Sequence, residues 1–332
     1  MRRSLLGVET GRRSVRLILA TLIALLAASA ALDVYAHGQA QPVPTPTTST
    51  SATPAAVDSG GGAATATPAT PAAVVATRDA SALATVIQQL VGASGATAGV
   101  TLVELGGSQP LSWSLDGGAV FTAASTYKLP ALMLEAQNIA AGKASANGLL
   151  YYQAPDYEEG WFDDYVDGAA FTRSAIAARA GQQSDNTAGH MFVRDLGGAA
   201  VLNAWAASAG ATGSSFFDGN ITTSNDLAAL WVAEAEGRLG GSAAQAWLYP
   251  LLTRTDYETG IPAGVPAGIT VVHKTGALDL TENDAALMLG ASSGPYVLTV
   301  LTNGLDETAG PALIAAISTA VWRFESARSA AA

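Results

Sequence analysis

Ser125 and Lys128 stand three residues apart in the stretch AASTYKLP, where an apolar helix is expected to begin. The chain has only three lysines, Lys128, Lys143 and Lys274. A residue this scarce, inside an apolar segment, poses a chemical question rather than one of solubility. Positions i and i+3 share a helix face. The first turn of a helix, with free N–H groups and a positive dipole end, favours a developing anion. A serine hydroxyl is a weak nucleophile until a neighbour takes its proton. A lysine in apolar surroundings loses basicity by desolvation and can then act as that base. By itself the pair reads more readily as a helix-capping serine beside a lysine whose stem lies along the helix.

Two further motifs change that balance. Ser184-Asp185-Asn186 follows at the end of a helical stretch, and Lys274-Thr275-Gly276 closes the strand GITVVHK. Each has an ordinary reading: a turn or N-cap for the first, an edge strand with a solvated lysine for the second. Together, in this order, Ser-x-x-Lys, Ser-Asp-Asn and Lys-Thr-Gly form the signature of class A β-lactamases and penicillin-binding proteins. The chain resembles that family, in particular its class A β-lactamase branch, over about residues 80–325. Adjacent text fits as well: SDNTAGHM, NDAALM and GPYVLTVLTNG.

The resemblance implies a serine hydrolase without a cofactor or metal, acting on a β-lactam or a peptidoglycan peptide. Ser125 would be acylated, and Lys128 would take its proton directly or through water. Ser184 would pass a proton to the leaving nitrogen. Asn186 would hold Lys128 and touch the substrate amide. Lys274 and Thr275, next to Gly276, would bind the substrate carboxylate. The N–H groups of Ser125 and Ala277 would form an oxyanion hole, where one donor is commonly worth about 3 to 4 kcal/mol.

The resemblance breaks at one point. Class A β-lactamases carry a glutamate on an omega loop, in a Glu-x-x-x-Asn pattern, that hydrolyses the acyl-enzyme through a water. Here the corresponding segment, GATGSSFFDGNITTSNDLAALW, is shorter and has no glutamate before Thr222. Asp218 is the only carboxylate in 210–222. It is a candidate deacylation residue, although aspartate before glycine also serves as ordinary turn chemistry. Without a second base the acyl-enzyme should persist, as in a penicillin-binding D-Ala-D-Ala peptidase. An arginine near the third motif is also missing, and Arg254 is the nearest candidate in sequence. A binding or sensor domain that acylates without turnover is the non-enzyme alternative.

Residues 151–168, YYQAPDYEEGWFDDYVDG, combine five Tyr or Trp with six Asp or Glu. As a loop ahead of the second motif they would give the cleft a negative, aromatic rim that favours amine-bearing substrates.

These motifs need a scaffold of a particular kind. Apolar periodicity predicts helices over 79–92, 126–141, 170–195, 198–209, 223–238, 242–253 and 309–325. Strands are expected at AGVTLVEL, PLSWSL, GITVVHK, DAALMLG and PYVLTVLT. Strands at both ends of the chain can join into one five-stranded antiparallel sheet flanked by helices, with the middle helices forming an all-α lobe. This is an α/β arrangement of the α+β type, and a cleft between its parts suits a ligand.

Ahead of that domain, five arginines precede the run LILATLIALLAASAAL and a V-x-A pattern at Val34-Tyr35-Ala36. Residues 1–36 read as an export signal or a retained membrane anchor. Residues 37–78 are rich in Pro, Thr, Ala, Ser and Gly and read as a disordered spacer. The catalytic domain would span 79–330, on the outer face of the cytoplasmic membrane or beyond it, as a monomer. No cysteine is present, which excludes disulfides and thiolate chemistry. A net charge of −11 argues against nucleic acid as a partner.

Two other patterns have ordinary readings. Gly290-Ala291-Ser292-Ser293-Gly294 matches G-x-S-x-G but links two strands, so it reads as a hairpin turn. The histidines, His37, His190 and His273, are scattered and offer neither a triad nor a zinc site. His273 should point to the sheet face opposite Lys274.

Overall fold

The computed structural model describes residues 79–106 and 110–331. The export segment expected over 1–36 and the spacer expected over 37–78 lie outside the described residues. A five-stranded sheet is formed by β1 (Thr97–Glu104), β2 (Ser112–Leu115), β7 (Thr270–Leu278), β8 (Thr281–Leu289) and β9 (Tyr296–Asn303). Its order is β2-β1-β9-β8-β7, and every pairing is antiparallel. This is the sheet expected from the sequence, with its edge strand β7 carrying the Lys-Thr-Gly motif.

Burial explains the strand order. The central strands β8 and β9 are buried along almost their whole length, so both faces of the sheet must be covered. On one face lie α1 (Ser81–Ser94) and α8 (Ala309–Ala331), packing Leu83, Ile87, Ile314, Ile317 and Val321 against Val100 and Leu298. The other face meets α6 (Ser224–Ala235), where Leu227 and Trp231 join Val272, Leu287 and Val297 in one core. Alternation along β7 sends Val271 to the first cluster and Val272 to the second.

The rest of the helical lobe surrounds α2 (Lys128–Ala140), which is buried from Lys128 to Ala136. A helix apolar on all sides belongs in a core. Pro130 falls in its first turn, where a missing N–H costs nothing. Leu132 is fully buried there, and its truncation to alanine would cost about 2–5 kcal/mol. Around it stand α3 (Arg173–Gln182), α4 (Asn186–Asp195), α5 (Ala199–Ser208) and α7 (Gly241–Leu248).

Three expectations change. The single helix predicted over 170–195 is a short strand followed by α3 and α4. Ser184 adopts φ 57° between those helices, and the side chain of Asp185 accepts the Ala188 N–H at 2.8 Å to cap α4. The apolar period runs through this break because both helices face the same core. The segment predicted as 242–253 ends its α-helix at Leu248 and tightens into a 3-10 turn at Tyr249–Leu252, where Pro250 lacks an N–H. Two small sheets also interrupt the helical lobe: β3 (Phe121–Thr122) with β6 (Ile221–Thr222), and β4 (Leu149–Tyr151) with β5 (Ala170–Thr172). The second sheet ties the ends of the acidic, aromatic loop 152–169. Ion pairs anchor its interior, Asp156 to Arg194 at 2.7 Å and Asp164 to Arg179 at 2.6 Å.

Candidate active site

Ser125 lies in a 3-10 turn, Ala124–Tyr127, that leads directly into α2. Ala124 has φ 47°, a conformation that costs a residue with a Cβ about 1–3 kcal/mol and persists only where neighbours enforce it. Those neighbours are visible. Asn283 of β8 donates to the carbonyls of Thr122 at 2.8 Å and Ala123 at 3.2 Å. Thr126 Oγ1 donates to Ala123 O at 2.6 Å. Gly276 of β7 lies against the same turn: a Cβ there would stand 2.8 Å from Ala123 O and 2.9 Å from Thr126 N. Only glycine lets the strand approach this closely, and the approach brings Ala277 to a cavity that Ser125 also lines.

Lys128 is fully buried. Its Nζ sits 2.8 Å from Ser125 Oγ, 2.8 Å from Ser184 O and 2.5 Å from Asn186 Oδ1. Burial pushes its pKa down to about 7, against the opposing pull of the Asp185 and Glu158 carboxylates. As an ammonium Lys128 donates to all three; once neutral it keeps two N–H groups and a lone pair. The carbonyls of Ser184 and Asn186 can only accept, so they take the two N–H bonds. The lone pair is then left for the one partner that can donate, the Ser125 hydroxyl.

Lys274 Nζ donates to Ser184 Oγ and to Thr275 O, each at 2.8 Å. Burial holds its pKa well below the ordinary lysine value, with Lys128 adding to the depression and Asp284 opposing it. The left-handed turn at Ser184 aims its carbonyl at Lys128 and its hydroxyl at Lys274. Five predicted residues, Ser125, Lys128, Ser184, Asn186 and Lys274, thus form one hydrogen-bonded chain drawn from three separate segments. Thr275 and Ala277 line the adjoining cavity of about 250 Å³ with Ser125 and Ser184.

Other residues fall elsewhere. Asp185 is spent on structure, accepting Tyr165 Oη at 2.7 Å besides capping α4. His273 is buried between Asp284 at 2.9 Å and Glu258 at 3.1 Å, away from the helical-lobe face that holds Lys274. Asp218 is exposed and lines a neighbouring cavity with Arg194 and Gly197, not the one that holds Ser125. Arg254 lines a third cavity, with Glu258 and Ile269, also apart from Ser125.

Two residues that the sequence did not mark as site residues join the group. Glu158, from the acidic loop, accepts Asn186 Nδ2 at 2.7 Å, and His190 Nε2 lies 3.3 Å from its other oxygen. His190 follows Asn186 by four positions on α4, a spacing that places both on one helix face. That spacing was the available signal for His190. Glu158 carried none beyond its place in an acidic run.

The comparisons with known proteins agree with this geometry. No curated protein matches the chain. Among solved structures, PBP-A superposes with a TM-score of 0.69 at 27% identity, over 75% of this chain and 97% of that one. A β-lactamase from Sphaerobacter thermophilus DSM 20745 gives 0.66 at 28% identity, over 75% and 98% of the two chains. A leucine-to-glutamate variant of PBP-A, described as an acyl-enzyme complex with penicillin G, gives 0.64 at 26% identity, over 73% and 96%. The profile of the Beta-lactamase enzyme family matches residues 82–324. With a serine, two lysines and a second serine converging as that family's chemistry requires, this chain belongs to the Beta-lactamase enzyme family and is a serine hydrolase of amide bonds.

Proposed function

We propose that the protein is an exported hydrolase that is acylated at Ser125 by β-lactams or related amides and then hydrolyses the acyl-enzyme. The observation that carries the reading is the Lys128 amine, held 2.8 Å from Ser125 Oγ with a pKa near 7. At neutral pH a large share of it is unprotonated and able to take the serine proton.

The contacts among Ser125, Lys128, Ser184 and Lys274 support a sequence of steps. Ser125 Oγ bonds to the amide carbon as its proton passes to Lys128. The developing oxyanion meets the N–H groups of Ser125 and Ala277. The carbon–nitrogen bond breaks while the nitrogen takes a proton from Ser184 Oγ, which Lys274 refills across 2.8 Å. Thr275 and Lys274 hold the substrate carboxylate, and Asn186 orients its side-chain amide. Export rests on the basic, apolar and small-residue pattern of residues 1–36, with 37–78 as spacer and 79–330 as a monomeric catalytic domain.

Intact mass after mixing with penicillin G tests the reading. The wild type should gain the mass of the drug, and Ser125→Ala should not. An unmodified wild type with no loss of drug, or an adduct on the alanine variant, would overturn it.

A second reading, a D-Ala-D-Ala peptidase trapped by penicillin, is favoured by the apolar Phe217 on the cavity wall and by the absence of glutamate from 210–222. Release of D-alanine from a D-Ala-D-Ala peptide would distinguish it.

A further inference from the structure

We infer that Glu158, with His190 as its proton partner, is the base that hydrolyses the acyl group on Ser125. The inference rests on acylation at Ser125 and supplies the second half of the reaction. Members with an omega-loop glutamate place a carboxylate beside the ester from the segment that here runs through Phe217. In this chain the carboxylate that lines the Ser125 cavity comes from the loop ahead of the second motif.

Four observations converge. A cavity of about 260 Å³ is lined by Ser125, Tyr127, Glu158, Asn186, His190 and Phe217. Glu158 and His190 are the carboxylate and the imidazole among its lining residues. Glu158 is anchored rather than loose: its N–H donates to Thr187 Oγ1 at 3.0 Å, and that hydroxyl donates back to Glu158 O at 3.0 Å. Its carboxylate accepts Asn186 Nδ2 at 2.7 Å, while Asn186 Oδ1 accepts from Lys128. One side chain therefore separates Glu158 from the amine that touches Ser125.

The fourth observation is the tautomer of His190. Its Nδ1 lies 3.1 Å from Asp156 O, a carbonyl that can only accept, so Nδ1 carries a hydrogen. In a neutral ring Nε2 would then present a lone pair to Glu158 Oε2 at 3.3 Å. Two lone pairs cannot bond. A proton on Nε2 would join the two atoms, so the pair offers a place for the proton that water loses. Phe217 packs edge-on against the imidazole at 5.1 Å, and the two rings line both this cavity and the one that Asp218 lines.

The step balances. A water oxygen bonds to the ester carbon, and one water proton passes to the Glu158–His190 pair. The bond from carbon to Ser125 Oγ breaks, and Oγ takes its proton from the Lys128 ammonium formed during acylation. The half-exposed Glu158 releases the captured proton to solvent, from which Lys274 recovers the one it supplied to the leaving nitrogen.

Time-resolved intact mass with penicillin G decides the matter, using wild type, Glu158→Gln and His190→Gln. The wild type should gain the drug mass and return to its own. In each variant the adduct should persist at least about 100-fold longer, within the usual range for losing a general base. Should Glu158→Gln disturb Lys128 through Asn186 and fail to acylate, the lifetime in His190→Gln decides. Release at the wild-type rate in a variant that acylates would overturn the inference. A wild type that keeps its adduct would also overturn it, while leaving acylation at Ser125 standing. A wild type that never gains the drug mass would remove both.

Discussion

Gly189 of α4 faces the stem of Lys128 so closely that a Cβ on it would stand 2.8 Å from Lys128 Cε and 2.4 Å from Tyr127 Oη. The helix that presents Asn186 and His190 is therefore seated directly on the helix that presents Lys128. Both clashing groups are buried, so neither has room to give way. Gly189→Ala should cost about 1–3 kcal/mol of stability as an overpacked core. It should also slow acylation more than tenfold, because a shift of about 1 Å in catalytic geometry can cost about 100-fold. Thermal unfolding and the acylation rate with penicillin G check both parts. A wild-type rate would mean that the lysine position tolerates the displacement.

Acylation should rise with pH through neutrality. Burial lowers Lys128 to about 7, so the amine is protonated and inactive as a base below that value and free above it. The single-turnover acylation rate should climb about tenfold per pH unit on the acid side and level off above pH 7. Lys128→Arg, fixed as a cation, should abolish the rise together with nearly all activity. A flat profile in the wild type would assign the proton to another group.

The cleft rim should select by charge. Glu159 and Glu282 line the cavity that holds Ser125, and among the described residues no arginine lines it. Burial, with Glu307 and Asp306 nearby, raises Glu282 to about 7. Glu159 is exposed at the rim. A penicillin bearing an ammonium group should acylate faster than its neutral-side-chain counterpart. Glu159→Gln should reduce that preference about two- to fivefold, the scale of one partly screened charge. Equal preference in both proteins would remove the rim as a selector.

His273 should couple stability to pH. Asp284 and Glu258 overcome the cost of burial and raise it to about 9 from an ordinary 6.5. A histidine with a raised folded pKa stabilises fully below its unfolded value, and that stabilisation fades as pH rises through the folded value. Compared with His273→Gln, the wild type should hold an advantage on the order of 2–3 kcal/mol at pH 6 that is largely gone by about pH 9.5. Denaturant unfolding at both pH values measures it. A difference that does not change with pH would mean His273 is neutral in the fold.

Much of this protein was legible before any fold was in hand. The three motifs and their order are fixed by local pattern, as are the helix start at Ser125 and the strand that carries Lys274. The apolar period of α2 and the runs of β8 and β9 announced a two-sided core, and the strand expected at 284–290 begins only three residues earlier. The break at Ser184 was hidden, because one residue with φ 57° leaves no mark on an apolar period. Asp218 looked like the nearest carboxylate in sequence, yet Phe217 turns at φ 69° and the aspartate lines a different cavity.

Sequence by itself marked the candidate groups, since a lysine in an apolar helix and a serine one turn away are local facts. Tertiary structure decided which carboxylate shares a cavity with that serine. Glu158 and Asn186 lie far apart along the chain and meet because β4 and β5 close the acidic loop and Thr187 fastens its tip. Contacts of that kind depend on loop closure and helix seating, which no local period encodes.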